Sequence, residues 1–524
     1  MKLCENLQMK IGYCVEDIRA EISKRYSINK YMIDNIVILK ESIDARHKPN
    51  VFYRVNVAFS CKDGKYNKGL EDVDVSYDGI AEEKLDGKFA RPVVVGFGPA
   101  GMFMALKLAK CGLKPIVLEQ GDSVERRKEK ILDFWHSGDL DVYSNVHFGE
   151  GGAGTFSDGK LNSNISNEYC KIVTNELIKH GAPSEIYYKA KPHIGTDKLI
   201  CVVRNIREDV ISLGGEVRFG SKLIDINIAD GKVTGAVVED MYQHTTYIID
   251  TSVVVLAIGH SAKETFGVLK SKGVEMKQKP FAMGVRIEQK QKDINMAQYG
   301  VIDGRLPNAD YKLVEHLHNG RSVFTFCMCP GGLVVASTSE KNSIVTNGMS
   351  YFARDRENAN SALLVNVEPK DFGSDDILAG FDYQAKYERL AFDLGGGDYY
   401  APAMKVGDFL GTGSVEYVKP SYKPGVKYVD ITKCLPPFVA ESIKLALPKF
   451  ERKIKNFAHP GNVLTAIESR SSCPVQIVRG DNKETNFAGL YAIGEGAGYA
   501  GGIMSSAQDG LKVAEKVIEY LAKK

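Results

Sequence analysis

Residues 91–121 read RPVVVGFGPAGMFMALKLAKCGLKPIVLEQG. The β-branched run Val93–Val95 predicts a short buried parallel strand, and the apolar spacing that follows predicts a helix over residues 100–110. Between strand and helix lie three glycines with GxGxxG spacing: Gly96, Gly98 and Gly101. A second apolar run, 115–118, ends at an acidic residue, Glu119. Strand, glycines, helix, strand and acid in this order predict a βαβ unit that binds a dinucleotide.

Each glycine has a separate role in this prediction. Gly96 permits the tight turn, Gly98 lets a pyrophosphate approach the backbone, and Gly101 lets the helix pack closely against the strand. The first N–H groups of the helix and the positive end of its dipole then face the phosphate. Glu119 is expected to hold the ribose of an adenosine.

Length and composition limit the classes of protein to consider. A chain of 524 residues predicts more than one domain. The 68 Lys and Arg residues nearly balance the 66 Asp and Glu residues, so we expect no nucleic-acid partner. The polar N-terminal residues and the shortness of the longest apolar run, VVVLAI, predict no signal peptide and no transmembrane segment. We therefore expect a cytoplasmic protein with reduced cysteines and assign no metal site, and the sequence leaves the oligomeric state open.

The chain divides into four expected segments. Residues 1–88 have a βαββ pattern, with strands at 9–13, 35–39 and 51–59 and a helix at 15–26, and end in a polar linker at 79–88. Residues 89–264 form the first part of the dinucleotide-binding domain, and residues 456–524 return to it. Residues 265–455 mix strands and helices, among them strands at 281–288 and 322–328, and predict a substrate domain.

Two insertions distinguish the dinucleotide-binding domain from a simple doubly wound sheet. The stretch FGEGGAGTFSDGKL, residues 148–161, has too few apolar side chains for a core, so it predicts a loop whose backbone N–H groups bind an anion or a planar polar ring. A flexible linker is the alternative. After helices at 168–180 and 196–213 come four short strands that predict a β-meander: 216–219, 221–228, 232–239 and 243–249.

Two later segments complete the pattern. A buried strand ends in Ala257-Ile258-Gly259, and near the C-terminus a strand at 490–493 leads into a glycine-rich turn at 494–502 and a helix at 503–521. With GxGxxG, these signatures resemble FAD-binding proteins of the glutathione reductase superfamily, in its single-dinucleotide branch.

A closer likeness rests on further motifs: FGEGGAGTFSDGKL, AKPHIGT, FCMCPGG, NGMS, LPPF and GEGAGYAGGIMS. They are similar to those of a family of bacterial FAD-dependent dehydrogenases, related to plastid proteins and mostly described as uncharacterised NAD(P)/FAD-dependent oxidoreductases. The likeness covers nearly the whole chain. It implies an α/β fold: a Rossmann-like FAD-binding domain of glutathione reductase type with an inserted β-meander, a mixed α+β substrate domain and a small ferredoxin-like βαββ domain at the N-terminus.

The resemblance also implies which residues hold FAD. They are Gly96, Gly98, Pro99, Ala100 and Gly101 at the pyrophosphate, Glu119 at the ribose, Leu223 and Ile224 at the adenine, and Gly494, Glu495, Gly501, Gly502 and Ile503 along the ribityl chain and the flavin ring. Gly154 in the glycine-rich loop, Ala257 and Gly259 complete the expected contacts. From the residues alone, Arg126 and Arg127 in the charged segment SVERRKEKILDF would either contact a phosphate of the cofactor or face water.

Six residues are candidates for the chemistry: Cys327, Cys329, His193, Glu468, Arg470 and Lys160. Two cysteines one residue apart share a face of an extended strand, which suits a redox pair or a thiolate beside the flavin; buried structural thiols are the alternative.

The other candidates are polar or charged. His193, and likewise His147, would act as a general acid or fill a structural role. Arg470 would anchor a substrate carboxylate, or pair internally with Glu468. Lys160 would stabilise reduced flavin or face solvent.

These observations predict an FAD-dependent oxidoreductase, a reductase or dehydrogenase that transfers hydride through flavin N5 to or from a small or medium organic substrate. The sequence has no second strand–GxGxxG–helix unit, so NAD(P)H is expected as a transient electron donor or is replaced by another donor. A flavin-dependent monooxygenase and a non-enzymatic flavin-bearing binding or assembly protein are the alternatives. The substrate is not identified by the sequence.

Overall fold

The computed structural model describes residues 1–64, 66, 70–75, 79–82, 84–85, 89–161 and 167–523. It has a mixed α/β fold whose described strands form six sheets. Residues 83 and 86–88 of the expected linker lie outside the described residues.

The strands, numbered in chain order, are β1 (Lys2–Met9), β2 (Ile33–His47), β3 (Asn50–Cys61), β4 (Val93–Val95), β5 (Ile116–Leu118), β6 (Glu216–Arg218), β7 (Ser221–Ala229), β8 (Lys232–Asp240), β9 (Thr245–Asp250), β10 (Val254–Leu256), β11 (Met276–Gln278), β12 (Phe281–Lys290), β13 (Val314–His316), β14 (Ser322–Cys329), β15 (Leu333–Ala336), β16 (Thr346–Met349), β17 (Asn358–Val367), β18 (Ala401–Lys405), β19 (Val426–Tyr428), β20 (Val463–Glu468), β21 (Val475–Ile477) and β22 (Leu490–Ala492).

The α-helices are α1 (Val15–Tyr26), α2 (Pro99–Lys110), α3 (Val124–Ser137), α4 (Glu168–Lys179), α5 (Thr196–Ser212), α6 (Lys263–Ser271), α7 (Gln291–Tyr299), α8 (Ala379–Gly395), α9 (Val406–Leu410), α10 (Pro437–Lys453) and α11 (Ile503–Ala522). Within the described part of the chain, none of them combines the length and the apolar character needed to cross a bilayer.

A five-stranded parallel sheet, in the order β22-β10-β4-β5-β6, positions the candidate site. Its register aligns the last residues of three strands, Val95, Leu256 and Ala492. Helices α2, α5 and α11 pack on one face, and the antiparallel strands β7, β8 and β9 pack on the other. Because carboxyl ends of parallel strands meet at one edge, the turns after β4, β10 and β22 lie together.

One prediction about this region needs correction. The strand predicted at 216–219 is β6, which joins the parallel sheet at its edge instead of the meander. The reason is that α5 forms a crossover between β5 and β6, so the chain returns parallel to β5. The charged segment after Glu119, for which no element was predicted, contains helix α3, whose residues Val124, Ile131 and Phe134 are buried at helical spacing.

A second, seven-stranded sheet has the order β13-β14-β17-β12-β20-β18-β19. Strands β12 and β14 confirm the predicted strands of this region. Strand β20 lies beyond the expected boundary at 455, yet it pairs antiparallel with β12 in this sheet. The polypeptide thus returns from the second sheet to the parallel sheet after residue 468.

The N-terminal segment contains a three-stranded antiparallel sheet in the order β1-β3-β2, with α1 between β1 and β2 in sequence. The predicted βαββ order is present. Its first strand is wrong in position, since it spans Lys2–Met9 and not residues 9–13. Gly12 has a φ of +76°, so residues 11–12 form the turn into α1 and cannot continue the strand.

Helix α2 carries a buried ion pair. The Nζ atom of Lys110 lies 2.7 Å from Oε1 of Glu176 on α4, and the two side chains are 3% and 1% exposed. The same carboxylate accepts the backbone N–H of Ile80. This contact ties the residues before β4 to the helices on the sheet.

We expect Lys110→Met to lower the free energy of unfolding by about 3 kcal/mol, because it leaves the Glu176 carboxylate buried without its partner. Urea denaturation followed by circular dichroism measures the change. Lys107→Met, on the same helix but partly exposed, is the matched control. Equal stabilities of the two variants would show that the pair contributes nothing.

Candidate functional site

A cavity of about 550 Å³ lies at the carboxyl edge of the parallel sheet. It is lined by the turns after β4, β10 and β22, by the glycine-rich loop 148–160, and by side chains from β14 and β20 of the second sheet. The sequence-predicted residues that line it are Gly96, Gly98, Pro99, Ala100, Glu119, His147, Gly154, Lys160, Leu223, Ala257, Gly259, Cys327, Glu468, Arg470, Glu495, Gly501, Gly502 and Ile503.

The GxGxxG turn has little room for side chains. A Cβ atom added to Gly96, which has a φ of +98°, would lie 2.4 Å from the Ala257 carbonyl oxygen. A Cβ atom at Gly101 would lie 2.0 Å from the Gly96 oxygen, so this residue packs the helix against the turn and does not line the cavity. A Cβ atom at Gly98 would meet only Gly152 of the glycine-rich loop, with Cα at 3.6 Å.

Two helices begin at this cavity. Pro99 and Ala100 open α2, and Gly502 and Ile503 open α11. Each helix N-terminus carries unsatisfied N–H groups and a partial positive charge. The cavity therefore has two anion-favouring ends, which suits the charged parts of a dinucleotide.

Glu119 is 5% exposed and has several backbone partners. Its carboxylate accepts N–H groups from Phe97 at 2.9 Å and from Gly121 and Gly149 at 3.0 Å. It thus joins the GxGxxG turn to the glycine-rich loop while lining the cavity. Its role as a ribose ligand stays a prediction.

Arg127 does not have the predicted position at a phosphate. It is fully buried in α3 and does not line the cavity. Its guanidinium donates to four backbone carbonyls, those of Asn145 (2.7 Å), Val146 (2.7 Å), Glu150 (2.6 Å) and Gly149 (3.3 Å). It also stacks on Phe156 at 4.8 Å. Burial lowers the pKa of Arg127 to about 10, so it stays charged at neutral pH and holds the glycine-rich loop in place.

Two other residues that were predicted to bind the cofactor, Ile224 and Gly494, do not line the cavity. Leu223 lines it, but Ile224 does not, because successive residues of β7 point to opposite faces. Gly494 does not line it either. Its N–H donates to Oδ2 of Asp509 at 2.8 Å, and an added Cβ would lie 2.8 Å from Cβ of Ala100, so it lets α2 approach.

The two cysteines of FCMCPGG do not share a face. The pairing of β14 with β17 has an irregularity between Phe326 and Cys329, where Cys327 has a φ of +43°. Such a bulge breaks strand alternation. Cys327 is exposed towards the cavity, whereas Cys329 is buried and donates to the Cys327 carbonyl at 3.2 Å. Burial raises the pKa of Cys329 to about 12, which argues against a redox pair.

Glu468 and Arg470 do not pair with each other. Glu468 accepts two bonds from the buried Arg286, at 2.6 and 2.7 Å. Arg470 is bound twice by Glu388, at 2.7 and 2.9 Å. Its remaining donors are taken by Glu340, Ser261 and Ser339. The prediction that Arg470 anchors a substrate carboxylate is therefore wrong in this geometry, because no guanidinium N–H is left.

His193 is likewise outside the cavity lining. Its Nε2 atom donates to the Phe352 carbonyl at 3.0 Å and its ring stacks on Phe352, so its role is structural. Lys160 does line the cavity, with Nζ 3.5 Å from Oδ2 of Asp158. Burial alone would raise the pKa of Asp158, but the positive charges of Lys160 and Arg354 outweigh this effect and lower the pKa to about 2.

Sequence reasoning missed several cavity residues. His260 directly follows Gly259 and lies against His147, with ring centroids 4.9 Å apart. Phe326, 37% exposed, presents an apolar surface next to Cys327. His260 could have been predicted as a cavity residue, because it directly follows the Ala257-Ile258-Gly259 turn. The position of Phe326 depends on the bulge, for which the sequence has no regular pattern.

Comparisons with known proteins agree with an FAD-dependent protein. Residues 280–471 match the family described as FAD-dependent protein, C-terminal domain-like, and residues 1–60 match a domain of unknown function. A protein described as uncharacterized from Clostridium beijerinckii is 46% identical over 527 residues, covering 98% of each chain. The chain therefore belongs to the same family as this Clostridium protein.

Weaker likeness is found to solved structures, three of which are described with FAD or flavin. A glycerol-3-phosphate dehydrogenase from Bacillus halodurans complexed with FAD is 12% identical, with 83% of this chain and 65% of that chain covered and a TM-score of 0.35. A flavoprotein/dehydrogenase from Cytophaga hutchinsonii is 11% identical, with 83% and 79% of the two chains covered and a TM-score of 0.38. The flavin-dependent brominase Bmp2 is 12% identical, with 83% and 80% covered and a TM-score of 0.38. The chain thus spans 65% of the length of the glycerol-3-phosphate dehydrogenase.

The structural role of Arg127 is testable. We expect Arg127→Lys to lower the free energy of unfolding by about 3 kcal/mol, because an ammonium cannot reach four carbonyls and leaves buried acceptors unpaired. Thermal denaturation monitored by circular dichroism measures this, and Arg126→Lys on the exposed face is the control. Unchanged stability with weaker FAD binding would instead restore the predicted phosphate contact.

Proposed function

We propose that the protein is an FAD-dependent oxidoreductase, a reductase or dehydrogenase acting on a small or medium organic molecule. The observation that carries this proposal is that one cavity joins the glycine turns of the parallel sheet to side chains of the second sheet. A dinucleotide held by the turns would have its far end beside Phe326 and Cys327. The match of residues 280–471 to an FAD-dependent domain supports the same cofactor.

The residues at the cavity fit FAD. Gly98 and Gly152 pack backbone against backbone, since a Cβ on Gly152 would lie 3.0 Å from Cα of Gly98. This contact brings the glycine-rich loop against the GxGxxG turn, and both line the cavity where a phosphate would approach the backbone. The N-terminus of α2 would offset the pyrophosphate charge, and the N-terminus of α11 would favour electron density on the flavin ring. Bound FAD supplies hydride or electron transfer.

The substrate side of the cavity combines an apolar surface with a cation. Phe326 is open to the cavity, and Lys160 lies in its lining beside Asp158, a carboxylate that Arg354 also binds, at 2.9 Å and 2.5 Å, so these three side chains carry a net positive charge. Arg470 has no donor left for a substrate. We therefore infer a substrate with an apolar part and a negatively charged group that Lys160 attracts. The thiol of Cys327 would contact this substrate.

We propose that NAD(P)H is the electron donor and that it binds in the cavity only transiently. The sequence offers no second strand–GxGxxG–helix unit to hold it permanently. The opening that admits the substrate would then admit the nicotinamide in turn.

Purified protein should be yellow and contain about one FAD per chain, released on denaturation and measured by its absorbance. We expect NADH or NADPH to bleach it in anaerobic stopped-flow experiments, with dithionite as the positive control. Bleaching by dithionite alone would remove the nicotinamide part of the proposal. A protein that neither contains FAD nor takes it up would contradict the whole proposal.

Gly98→Ala should weaken FAD binding about tenfold or more, which corresponds to roughly 1.4 kcal/mol. The added methyl meets the protein only at ordinary contact distance, 3.6 Å, so the fold should persist while the phosphate is obstructed. Fluorescence titration of FAD-free protein measures the affinity. Gly304→Ala, at an exposed position with no atom within 4 Å, is the control. Full affinity in Gly98→Ala would refute the position of the pyrophosphate.

A further inference from the structure

An asparagine on β16 has a fixed orientation at the cavity. Asn347 belongs to the motif NGMS and lines the cavity. Its Oδ1 atom accepts the N–H of Gly348 at 2.7 Å and a hydrogen bond from Nη2 of Arg286 at 3.3 Å. Because both partners are donors, the amide oxygen has to face them, and the NH2 group faces the other way.

The guanidinium that fixes this orientation is itself held firmly. Arg286 on β12 is fully buried, and each of its five N–H groups has a partner. Two donate to the Glu468 carboxylate at 2.6 and 2.7 Å, and two donate to Oδ1 of Asn360 at 2.8 Å and to the Cys327 carbonyl at 3.1 Å. One buried cation thus positions three residues of the cavity lining: Cys327, Asn347 and Glu468.

The NH2 group of Asn347 is both unpaired and accessible. Within the described part of the chain it makes no hydrogen bond, because the bonds of this side chain are those that its oxygen accepts. Nζ of Lys160 also lacks a hydrogen-bond partner but is enclosed by protein, whereas Nδ2 of Asn347 is not enclosed. Lys160 can therefore attract an anion without touching it, and the donors of Arg470 are already taken. Asn347 supplies donors that an oxygen in the cavity can reach.

We propose that Asn347 is a substrate-binding residue, whose side-chain N–H groups donate to the oxygen of a carbonyl or carboxylate group held beside Cys327. This inference rests on the proposed function, since it names the group that the same cavity recognises in its organic substrate. A neutral amide donor suits either kind of oxygen, and the net positive charge around Lys160 favours the carboxylate. The exposed ring of Phe326 would contact the apolar part.

Benzoate and benzamide are the probes, because each joins an apolar ring to a carbonyl oxygen and only benzoate is charged. Calorimetry measures their affinity for the FAD-loaded protein. Asn347→Asp removes both N–H donors but keeps an oxygen for Arg286 and Gly348, and Asn347→Leu removes the donors without adding a charge. Asn35→Asp, at an exposed position of β2, is the control. FAD content and thermal denaturation report whether each variant is folded and loaded.

We expect both Asn347 variants to bind benzamide about tenfold more weakly than the parent, because a hydrogen bond is lost in each. Asn347→Asp should lose more affinity for benzoate than Asn347→Leu does, since the new carboxylate also repels the anion. The Asn35→Asp control should bind both probes like the parent. Asn347→Asp should keep its FAD and its fold, because its carboxylate still accepts from Arg286 and Gly348, so it serves if Asn347→Leu fails to fold.

The inference is overturned if the FAD-loaded parent binds neither probe. It is also overturned if Asn347→Asp keeps full affinity while Asn347→Leu loses it, because the asparagine then acts only as an acceptor for Arg286. Binding of benzoate but not benzamide by the parent, with a loss in Asn347→Leu, would assign the recognised group as a carboxylate. Failure of the proposed function is distinguishable, because the parent would then hold no FAD.

Discussion

The parallel pairing of β10 between β4 and β22 is the constraint on which the site depends. These strands have three residues each, are fully or almost fully buried, and come from positions 93–95, 254–256 and 490–492. Because these strands are buried, their backbone groups have to be paired with neighbouring strands, with one another and, for β4, also with β5. The register aligns their carboxyl ends, and three turns that are far apart in the chain therefore share one cavity. Close approach of α11 to α2, where a Cβ on Gly510 would lie 2.3 Å from the Ala100 oxygen, supports the same arrangement.

The glycine-rich loop depends on two buried charged groups. Glu119 accepts the N–H of Gly149, and Arg127 donates to the carbonyls around it, so the loop is held by one side chain that follows β5 and one from α3. The five glycines allow backbone to approach backbone, while the charged groups fix where it lies. A glycine-rich segment, flexible by composition, is therefore held in one conformation and forms a wall of the cavity opposite the GxGxxG turn.

Local sequence patterns predicted the elements well. The βαβ unit, the helices 168–180, 196–213 and 503–521, and the strands β12 and β14 depend on periodicity over adjacent residues, and the structure contains them. Helix α3 was equally readable, because Val124, Ile131 and Phe134 recur at helical spacing, with Arg127 on the same buried face. The charged composition of the segment obscured that pattern.

Contacts between residues that are far apart in the sequence could not be predicted from local patterns. Glu468 pairs with Arg286, and Arg470 with Glu388, over sequence separations of 182 and 82 residues. The closeness of Glu468 and Arg470 in the sequence suggested a local pair, but both side chains are buried and each is bound by a distant residue of opposite charge. The two cysteines were separated by a bulge, which depends on the pairing of β14 with β17 and leaves no periodic signal. Site residues from regular elements were therefore easier to predict than residues positioned by loops and bulges.

The central claim is that turns far apart in the chain, together with the glycine-rich loop, hold a single dinucleotide. Hydrogen–deuterium exchange of the FAD-free protein, measured with and without added FAD, tests it most directly. The account predicts slower exchange on addition of FAD at residues 96–101, 148–161, 257–261 and 494–503 together. No change in these four segments, or slower exchange confined to residues 1–60, would contradict it.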